Sequence, residues 1–432
     1  MSLTPAALLV LALAALVGIV AEWSDSVLAA VVWRTCVALV AVGLTYELWS
    51  TRRFAVGVRW LHRPVLRLGR IEHLDLEVVN RARRDLAVEL LPALPPALRC
   101  ESRACTLELR AGAGARTRVD ARPVALGTRS WPRLPMRIKG PLKLAWWSRA
   151  VPVDGQVSVL PDTLGRSDAR PGSAEIGGVA RAVAGGGEEL HALRDYLPHD
   201  PLRSIDWKAT ARSSRLITRV FAEQQHLEIV LLVDAGRTSR TEIDGMPLLG
   251  HYANIAARFA ERCAGGEDHV GLVAFADRPL ASLAPARGMA AVARIRGALG
   301  ELEPLGVESD VVAAALHVRK LVRRRSLVLL LTDLYQTSAT SDLAQSVRLL
   351  VPKHLPLIVG ISSEEIGELA RRRARDWLDP YRGLAAREYR SAIAANVDRL
   401  GRLGAYALTA RPGEADSRVL EIYRLLRAQR RV

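Results

Sequence analysis

The stretch Glu228-Ile-Val-Leu-Leu-Val-Asp234 is a run of aliphatic residues that ends in a single carboxylate. An unbroken apolar run of this length is typical of a strand buried on both faces, as in a parallel sheet covered by helices. Ser326-Leu-Val-Leu-Leu-Leu-Thr332-Asp333 has the same form. Because open α/β sheets place their ligands at the carboxyl ends of their strands, Asp234 and Asp333 are predicted to share one site.

The chain after residue 226 alternates predicted strands with predicted helices. Apolar periodicity predicts strands at 229–234, 269–276, 326–333, 355–361 and 406–409. Helices are predicted between these strands, and a last helix closes the chain. Alternation of this kind specifies a doubly wound, mostly parallel α/β sheet.

The charge and motif content of the chain disfavour several functions. The net charge is +16, but almost all of the excess is arginine, which is scattered along the 432 residues. Aromatic residues make up 5%, and no zinc-finger or RNA-recognition spacing is present, so nucleic-acid binding is not predicted. The four cysteines form no CxxC pair, which argues against a zinc site or a disulfide framework and indicates a reducing compartment.

Two apolar runs open the chain, at 6–21 and 27–46. Each is close to the roughly 20 residues that cross a bilayer as a helix. The loop between them is acidic and arginines follow the second run, so the positive-inside rule places the downstream domains in the cytoplasm. We predict a transmembrane hairpin at 1–50. The alternatives are a signal peptide for the first run and a buried helical pair for both.

The region 51–161 follows a period of two. Apolar residues within 74–78 alternate with charged neighbours, and Pro and Gly recur at intervals typical of a sandwich or small barrel. We predict a β-rich domain there. The stretch 162–189 is rich in Gly, Ala, Ser and Arg without apolar periodicity, and it is predicted to be a linker. Residues 190–432 then hold a distinctive block around 193–221, which we call the signature segment, and the α/β domain.

The signature segment is rich in arginine, aspartate and aromatic residues. Asp200 is expected to cap a short helix that carries Arg203, Trp207 and Lys208. One interpretation is a partner-binding surface, since Trp and Arg dominate interface hot spots. The other is an Arg–Asp network that locks the segment to the sheet, with Trp207 in the core. The candidate partner-binding residues are Arg194, Tyr196, Asp200, Arg203, Asp206, Trp207, Lys208 and Arg212.

Hydroxyl residues accompany the two strand-end aspartates, and they suggest a cation site. Carboxylates with hydroxyls form an oxygen-only set that suits Mg²⁺ or Mn²⁺, with waters completing the shell. The alternative is that both aspartates cap the helices that follow them. The hydroxyl residues considered are Thr238, Ser239, Ser309 and Thr332.

No catalytic motif accompanies these residues. The chain contains no GxSxG, HExxH or GxxxxGK[ST], and its histidines lack metal-pair spacing. No small-molecule substrate is evident. We therefore predict that the protein is not an enzyme and has no catalytic residues. A metal-dependent hydrolase is the alternative from another functional class.

The block from Leu193 to Arg212, followed by a strand that ends in Asp, resembles the signature of the bacterial family called domain of unknown function fifty-eight. That family is similar to von Willebrand factor A domains, so the resemblance implies a von Willebrand factor A-like sheet. The two apolar runs and the β region resemble the usual front end of the family, including Gly140-Pro141-Leu142.

The resemblance also implies a metal-ion-dependent adhesion site, written Asp-x-Ser-x-Ser with a later Thr and a later Asp. Asp234 matches the first Asp and Thr238 the second hydroxyl. Asp333 matches the late Asp, and Ser309 is the best candidate for the Thr. Gly236 replaces the first Ser and has no side chain to ligate. The implied site is therefore degenerate, and Mg²⁺ or Mn²⁺ is the expected ion.

Family resemblance further implies partnership with a MoxR-type AAA+ ATPase in protein maturation or the envelope stress response. The expected location is a bacterial inner membrane, with the soluble domains facing the cytoplasm. We predict a membrane-anchored interaction scaffold or adaptor, whose partner docks an acidic group at the Asp234/Asp333 crevice. The alternative is a metal-free interaction module that uses the Arg203/Trp207/Arg212 surface.

Overall fold

The structure of the protein is a computed structural model that divides into two compact units, Met1–Leu160 and Pro161–Val432. The residues it describes are 2–24, 27–52, 56–61, 65–100, 104–164, 183–185, 189–198, 200–223, 226–266, 268–335 and 339–428.

The first unit begins with a short strand and two apolar helices: β1 (Ser2–Leu3), α1 (Pro5–Ser24) and α2 (Val27–Arg52). Among the described residues, α2 alone is long and apolar enough to cross a membrane, with a mean hydropathy of 2.2. The prediction of two transmembrane helices is therefore corrected to one candidate span. The apolar stretch of α1, Pro5–Ala21, is shorter, because Glu22 follows it directly.

The rest of the first unit is β-rich. Its strands form a five-stranded sheet of order β1-β11-β10-β5-β7, a four-stranded sheet of order β2-β4-β8-β6, and a three-stranded sheet of order β3-β12-β9. Leu74, Leu76 and Val78 of β4 are fully buried, as their alternation predicts. The strands are β2 (Val56–Leu61), β3 (Val65–Arg67), β4 (Glu72–Asn80), β5 (Leu86–Leu90), β6 (Leu98–Cys100), β7 (Cys105–Leu109), β8 (Gly114–Pro123), β9 (Gly127–Ser130), β10 (Leu134–Lys139), β11 (Ala145–Val151) and β12 (Gln156–Leu160).

A buried carboxylate binds α2 to the turn between β10 and β11. Glu47, near the end of α2, is completely buried. Its Oε1 accepts hydrogen bonds from the N–H groups of Leu142 and Leu144 at 2.9 and 3.0 Å. Its Oε2 accepts from the Ala145 N–H at 3.0 Å and from Trp147 Nε1 at 3.2 Å. Four charge-assisted hydrogen bonds therefore fix the end of this helix to one turn.

The same turn also binds the residue before α1. Thr4 Oγ1 donates to the Lys143 carbonyl oxygen at 2.7 Å. Gly140 makes room for the Glu47 carboxylate, since a Cβ at position 140 would lie 2.1 Å from the Glu47 carboxyl carbon. Both helices are thus attached to the β10–β11 turn at the ends nearest the β-rich region.

The second unit is a mixed α/β fold around a six-stranded sheet of order β20-β19-β16-β21-β22-β23. Five strands are parallel and β20 is an antiparallel edge. The strands are β16 (Glu228–Asp234), β19 (His269–Phe275), β20 (Pro279–Ala286), β21 (Ser326–Leu331), β22 (Leu355–Ile361) and β23 (Tyr406–Ala410), with a small pair of β17 (Glu242–Ile243) and β18 (Met246–Pro247).

Helices lie between these strands, and their apolar faces complete the core. Alternate residues of the central strands, such as Val230, Leu232 and Leu330, pack in one buried cluster with side chains of α6, α7 and α9. The long helices are α4 (Leu248–Ala264), α5 (Gly288–Gly300), α6 (Val311–Leu321), α7 (Ala339–Leu350), α8 (Glu364–Arg371), α9 (Asp379–Arg402) and α10 (Ala415–Ala428).

The signature segment forms a small substructure before this sheet. It contains a three-stranded sheet of order β13-β15-β14, with β13 (Val183–Gly185), β14 (Glu189–Asp195) and β15 (Ile217–Glu223). A single 3₁₀ turn, Leu202–Ser204, and a short helix, α3 (Trp207–Ser213), connect β14 to β15.

The predicted linker at 162–189 contains ordered structure at its start and near its end. Asp162 is completely buried, and its carboxylate accepts a hydrogen bond from Arg258 of α4 at 2.6 Å. The Asp162 N–H donates to Asn254 Oδ1, and Arg296 of α5 donates to the Pro161 carbonyl oxygen. Residues 161–164 thus belong to the α/β unit. Positions 165–182 and 186–188 of the predicted linker lie outside the described residues.

Candidate functional site

Asp234 and Asp333 lie at the same edge of the sheet. Asp234 is the last residue of β16, and Asp333 follows the neighbouring parallel strand β21 after one intervening residue, Thr332. Asp234 is 2% exposed, whereas Asp333 is half-buried. The carboxyl ends of two adjacent parallel strands therefore present two carboxylates together, as the apolar runs predict.

Both carboxylate oxygens of Asp234 accept hydrogen bonds. Oδ1 accepts from the Gly236 N–H at 2.8 Å and from Ser309 Oγ at 2.5 Å. Oδ2 accepts from Thr332 Oγ1 at 2.6 Å. Two hydroxyls and one backbone amide thus enclose this carboxylate, which offsets part of the cost of burying its charge.

Backbone hydrogen bonds place Ser309 next to the Asp234 carboxylate. The Leu305 N–H donates to the Ala235 carbonyl oxygen at 2.7 Å, and the Arg237 N–H donates to the Val307 carbonyl oxygen at 2.8 Å. The segment that carries Ser309 is therefore paired along the loop that follows Asp234. This long-range pairing brings together residues that are 75 positions apart in sequence.

Gly236 is required by the position of Ser309. A Cβ at position 236 would lie 2.0 Å from Ser309 Oγ and 3.0 Å from the Val307 carbonyl oxygen. Contacts this short exclude a side chain unless the neighbours move. The Ser309 hydroxyl thus occupies the space that a side chain at position 236 would need.

Asp333 lies among tyrosine side chains. Its Oδ1 accepts the Tyr335 N–H at 3.0 Å, and the Tyr335 ring contacts the Tyr389 ring with centroids 4.3 Å apart. Burial, and then the nearby charge of Asp333, raise the pKa of Tyr389 to about 12. Tyr252 is completely buried, and its hydroxyl has no hydrogen-bond partner within the described part of the chain.

Burial raises the pKa of both aspartates. For Asp234 the loss of solvation outweighs the hydrogen bonds from Ser309, Thr332 and Gly236, which act in the opposite direction. For Asp333 the loss of solvation is the largest cause of the raised pKa, and the charge of Asp234 raises the pKa further. Each aspartate also accepts the N–H group two residues ahead, which closes a local turn. Asp234 does not make the helix cap that was the alternative to a cation site, since Gly236 precedes the 3₁₀ turn Arg237–Arg240 and no side chain caps that turn.

Replacing Asp234 with asparagine is expected to stabilise the protein at neutral pH by about 0.5–2 kcal/mol, the usual gain from a single stabilising substitution, because burial disfavours the charged carboxylate. A raised folded-state pKa contributes stability that is present below the unfolded pKa and is lost as pH rises through the folded pKa. Asp234→Asn lacks that loss, so its advantage over the wild type should grow as the pH rises above the unfolded pKa and should level off once the pH exceeds the folded-state pKa. Thermal unfolding across this pH range measures the difference, and a constant difference would contradict it.

The predicted cation ligands are only partly brought together. Asp234 and Ser309 are hydrogen-bonded, and Asp333 lies nearby. Thr238 is half-exposed, and no hydrogen bond from its hydroxyl to Asp234 is found among the described contacts. Ser239 instead donates a hydrogen bond to the Asp234 carbonyl oxygen at 2.7 Å, and Thr332 donates one to the second carboxylate oxygen of Asp234. In the sequence, the hydroxyl next to Asp333 is the one feature that marks Thr332 as a site residue.

The donor set fits a hydrated divalent cation only in part. Its oxygen-only chemistry suits Mg²⁺ or Mn²⁺. Against a tightly held ion, both Asp234 oxygens already accept hydrogen bonds, and the described residues contain no group of three His, Cys, Asp or Glu able to hold a metal. A cation here would rely on the two hydroxyls, Asp333 and water.

Two ion pairs hold the signature segment in shape. Asp200 accepts a hydrogen bond from Arg194 at 2.6 Å and from the Leu197 N–H at 2.9 Å. Asp206 caps α3 by accepting the N–H groups of Lys208 and Ala209, and its second oxygen accepts Arg219 Nε at 3.1 Å.

The cap assignment differs from the prediction. Asp206 caps the short helix, and Asp200 instead closes the preceding turn, because the residues between them form a separate 3₁₀ turn. Hydrogen bonds hold the pKa of both carboxyls below the usual range, chiefly from Arg194 for Asp200 and from the Ala209 N–H for Asp206. Tyr196 donates its hydroxyl to the Asp200 carbonyl oxygen at 3.2 Å.

The outer face of the signature segment is apolar and basic. Trp207 is 67% exposed, which rules out a core position for it, the placement that the second interpretation of the segment required. Leu202 is 71% exposed. Arg203, Lys208 and Arg212 are also exposed, and within the described part of the chain they have no carboxylate partner. We call these five residues, 202, 203, 207, 208 and 212, the signature surface.

The matched family covers this surface and both aspartates. Residues 192–373 match the family model described as "Protein of unknown function DUF58". The resemblance seen in the sequence is thereby confirmed. A comparison with curated proteins finds no match.

Solved structures of low sequence identity also align with the chain. A crystal structure of a conserved hypothetical protein, BatB from Bacteroides thetaiotaomicron, is 12% identical over 46% of this chain and 99% of that chain, with a TM-score of 0.28. Proximal thread matrix protein 1 from the mussel byssus, with a zinc-occupied MIDAS motif, is 17% identical over 32% of this chain and 36% of that chain, with a TM-score of 0.24.

The native alpha-2-macroglobulin of E. coli aligns at 16% identity over 24% of this chain, with a TM-score of 0.20. The chain spans only 7% of the length of that protein.

Proposed function

We propose that this chain, whose residues 192–373 match the model of the DUF58 family of proteins of unknown function, is a membrane-anchored interaction module whose signature surface binds a partner protein. The observation that carries the proposal is the exposure of Trp207, at 67%, beside three basic side chains that have no carboxylate partner among the described residues. A large exposed aromatic ring flanked by arginine is the composition of an interface hot spot.

The rigidity of the signature segment supports the same proposal. Asp206 fixes the start of α3 and also binds Arg219 of β15, while Asp200 fixes the preceding turn. These contacts are made by the residues that do not belong to the signature surface. A surface that is ordered before binding loses less conformational entropy on association. The acidic residues of the segment therefore position the basic and apolar ones.

We propose a partner with an acidic and partly apolar surface, since the three charged residues of the signature surface are all positive. A MoxR-type AAA+ ATPase, acting in protein maturation or envelope stress, is the partner that the family resemblance favours. The proposal contains no catalytic step, and in it the protein acts as a scaffold or adaptor rather than as an enzyme.

The membrane anchor in this proposal is α2, accompanied by α1. The most apolar part of α2 is only 11% buried, which leaves its side chains available to lipid. The outer side chains of α1 are also apolar and exposed, for example Leu9 at 62% and Leu16 at 61%. The excess of arginine after α2 favours a cytoplasmic location for the soluble units, at a bacterial inner membrane.

Changing Trp207 and Arg212 together to alanine is expected to weaken capture of the ATPase by at least about ten-fold, the effect of losing one hot spot. The measurement is co-purification of an AAA+ ATPase with the full-length chain in detergent. Trp377→Ala is the matched control, because Trp377 is 74% exposed and lies outside the signature surface. Equal capture by the double variant and the wild type would contradict the proposed surface.

A second proposal is a weak divalent-cation site at Asp234 and Asp333, a degenerate metal-ion-dependent adhesion site. The supporting observation is that Ser309 supplies a hydroxyl where Gly236 lacks one. In this proposal Ser309, Thr332 and Asp333 face the ion and Thr238 does not.

Calorimetry with Mg²⁺ and Mn²⁺ is expected to show binding by the full chain that Asp333→Ala abolishes and Thr238→Ala preserves. The physical reason is that Asp333 is the carboxylate with remaining acceptor capacity. Absence of heat in the wild type, or equal loss in Thr238→Ala, would contradict this ligand assignment.

A further inference from the structure

A cavity of about 510 Å³ lies at the carboxyl ends of β22 and β23. Its walls come from the two strands, from the start and end of α8, from α9, and from the residues at and after the end of β23. The volume lies within the range of about 300–1,000 Å³ that is usual for small-molecule sites. The position is also the edge at which open parallel sheets bind ligands.

The charged residues that line the cavity are mostly basic. Four arginines line it, namely Arg371, Arg390, Arg411 and Arg418, against two carboxylates, Glu364 and Asp398. Arg411 is paired with Glu364 at 2.8 Å. The other three arginines are exposed and have no carboxylate partner among the described contacts. Guanidinium groups match the geometry and charge of phosphate oxygens.

Hydroxyl and backbone donors lie beside these arginines. Ser362 and Ser363 follow the end of β22, and both line the cavity. Ser363 caps α8 by accepting the Glu365 N–H at 3.2 Å. The remaining N–H groups of the first turn of α8 have no partner within the helix, and the helix dipole there favours an anion. These hydroxyl and N–H groups supplement the arginines as hydrogen-bond donors for an anion, and they do not define the site by themselves.

Apolar residues also line the cavity. They include Ile393, Val397 and Tyr389 of α9 and Leu408 of β23. Gly367, also in the lining, has no atom within 4 Å of the position where a Cβ would be, so the cavity stays open on that side. A flat apolar group would be removed from water here.

We propose that this cavity binds a nucleoside phosphate. The phosphate contacts Arg371, Arg390 and Arg418, and the base lies against the apolar wall. Asp398, which has no ion pair among the described contacts, accepts a hydrogen bond from a ribose hydroxyl, as acidic residues do in dinucleotide sites. The site is separate from the signature surface, and the inference does not depend on the proposed partner.

Binding is tested with the full-length chain in detergent micelles by calorimetry and by the shift in thermal unfolding temperature. The probes are the diphosphates of adenosine, guanosine, cytidine and uridine, with the four nucleosides and inorganic pyrophosphate as comparisons. We expect at least one diphosphate to bind and to raise the unfolding temperature. The matching nucleoside and pyrophosphate should each bind at least about ten-fold more weakly, because each lacks one of the two recognised parts.

The variants identify the cavity as the site. Arg390→Gln combined with Arg418→Gln should weaken binding by at least about ten-fold, since each removes a charge-assisted contact. Arg399→Gln is the matched control. Arg399 is an exposed arginine of α9, the helix that carries Arg390, but it does not line the cavity. Failure of all four diphosphates to bind, equal binding of pyrophosphate, or equal loss in Arg399→Gln would overturn the proposal.

Discussion

Replacing Glu47 with alanine is expected to lower the free energy of unfolding of the first unit by about 2–4 kcal/mol, because an unsatisfied buried donor costs about 1–3 kcal/mol. The substitution leaves three backbone N–H groups and the Trp147 indole without their acceptor. Hydrogen exchange of the Leu142, Leu144 and Ala145 amides measures the effect directly. These amides should exchange faster in Glu47→Ala than in the wild type.

Glu108→Ala is the matched control for this prediction. Glu108 is exposed on β7, and its removal should change stability by no more than about 0.5 kcal/mol. Gly140→Ala should reproduce much of the Glu47 effect, since its Cβ would collide with the Glu47 carboxylate. Unchanged exchange of the three amides in Glu47→Ala would show that this carboxylate does not hold α2 to the β10–β11 turn.

Replacing Gly236 with serine is expected to destabilise the α/β unit by about 1–3 kcal/mol, the usual cost of overpacking a buried position. The new Cβ would lie 2.0 Å from Ser309 Oγ, so one of the two hydroxyl residues must move. Adding Ser309→Ala removes the obstructing Oγ and should recover a large part of the loss. Chemical unfolding of the single and double variants of the full chain measures both effects.

The double variant shows whether the cost of Gly236→Ser comes from the collision with Ser309 or from the loss of glycine itself. If Gly236→Ser and Ser309→Ala act independently, their costs should add in the double variant. The predicted result is that the double variant is more stable than Gly236→Ser alone. Additive destabilisation would contradict the idea that Ser309 occupies the place of the missing serine.

The α/β sheet was predictable because its signals are local and repeated. The apolar runs before Asp234 and Asp333 are long enough to specify strands buried on both faces, and adjacent parallel strands must end at the same edge. The prediction that both aspartates lie at this edge therefore needed no knowledge of side-chain packing. The mixed α/β architecture and the β-rich region before it follow from the same periodicities.

The contacts that complete the site were not predictable, because they join distant parts of the chain. Ser309 reaches Asp234 through backbone pairing between the loop after β16 and the segment after α5. Glu47 looks in the sequence like a polar residue at the end of an apolar run, and its four donors lie about a hundred positions away. Nothing near Gly236 in the sequence shows what occupies the space beside it.

The two interpretations of the signature segment each describe a different subset of its residues. Asp200 and Asp206 form the Arg–Asp contacts of the structural interpretation, with Arg194 and Arg219 as partners. Trp207 faces solvent, as the partner-binding interpretation requires. Sequence could not separate them, because the spacing of acidic and basic residues is the same in either case and only burial tells them apart.

Photo-crosslinking from position 207 in intact membranes tests the proposed partner surface most directly. A photoreactive phenylalanine analogue replaces Trp207 in one variant and Trp377, an equally exposed tryptophan, in a control. If the signature surface binds the partner, we expect one discrete cross-linked product from position 207, identified by mass spectrometry as an AAA+ ATPase. We expect no such product from position 377. Absence of the product at position 207, or the same product at both positions, would contradict the proposal that the signature surface binds the partner.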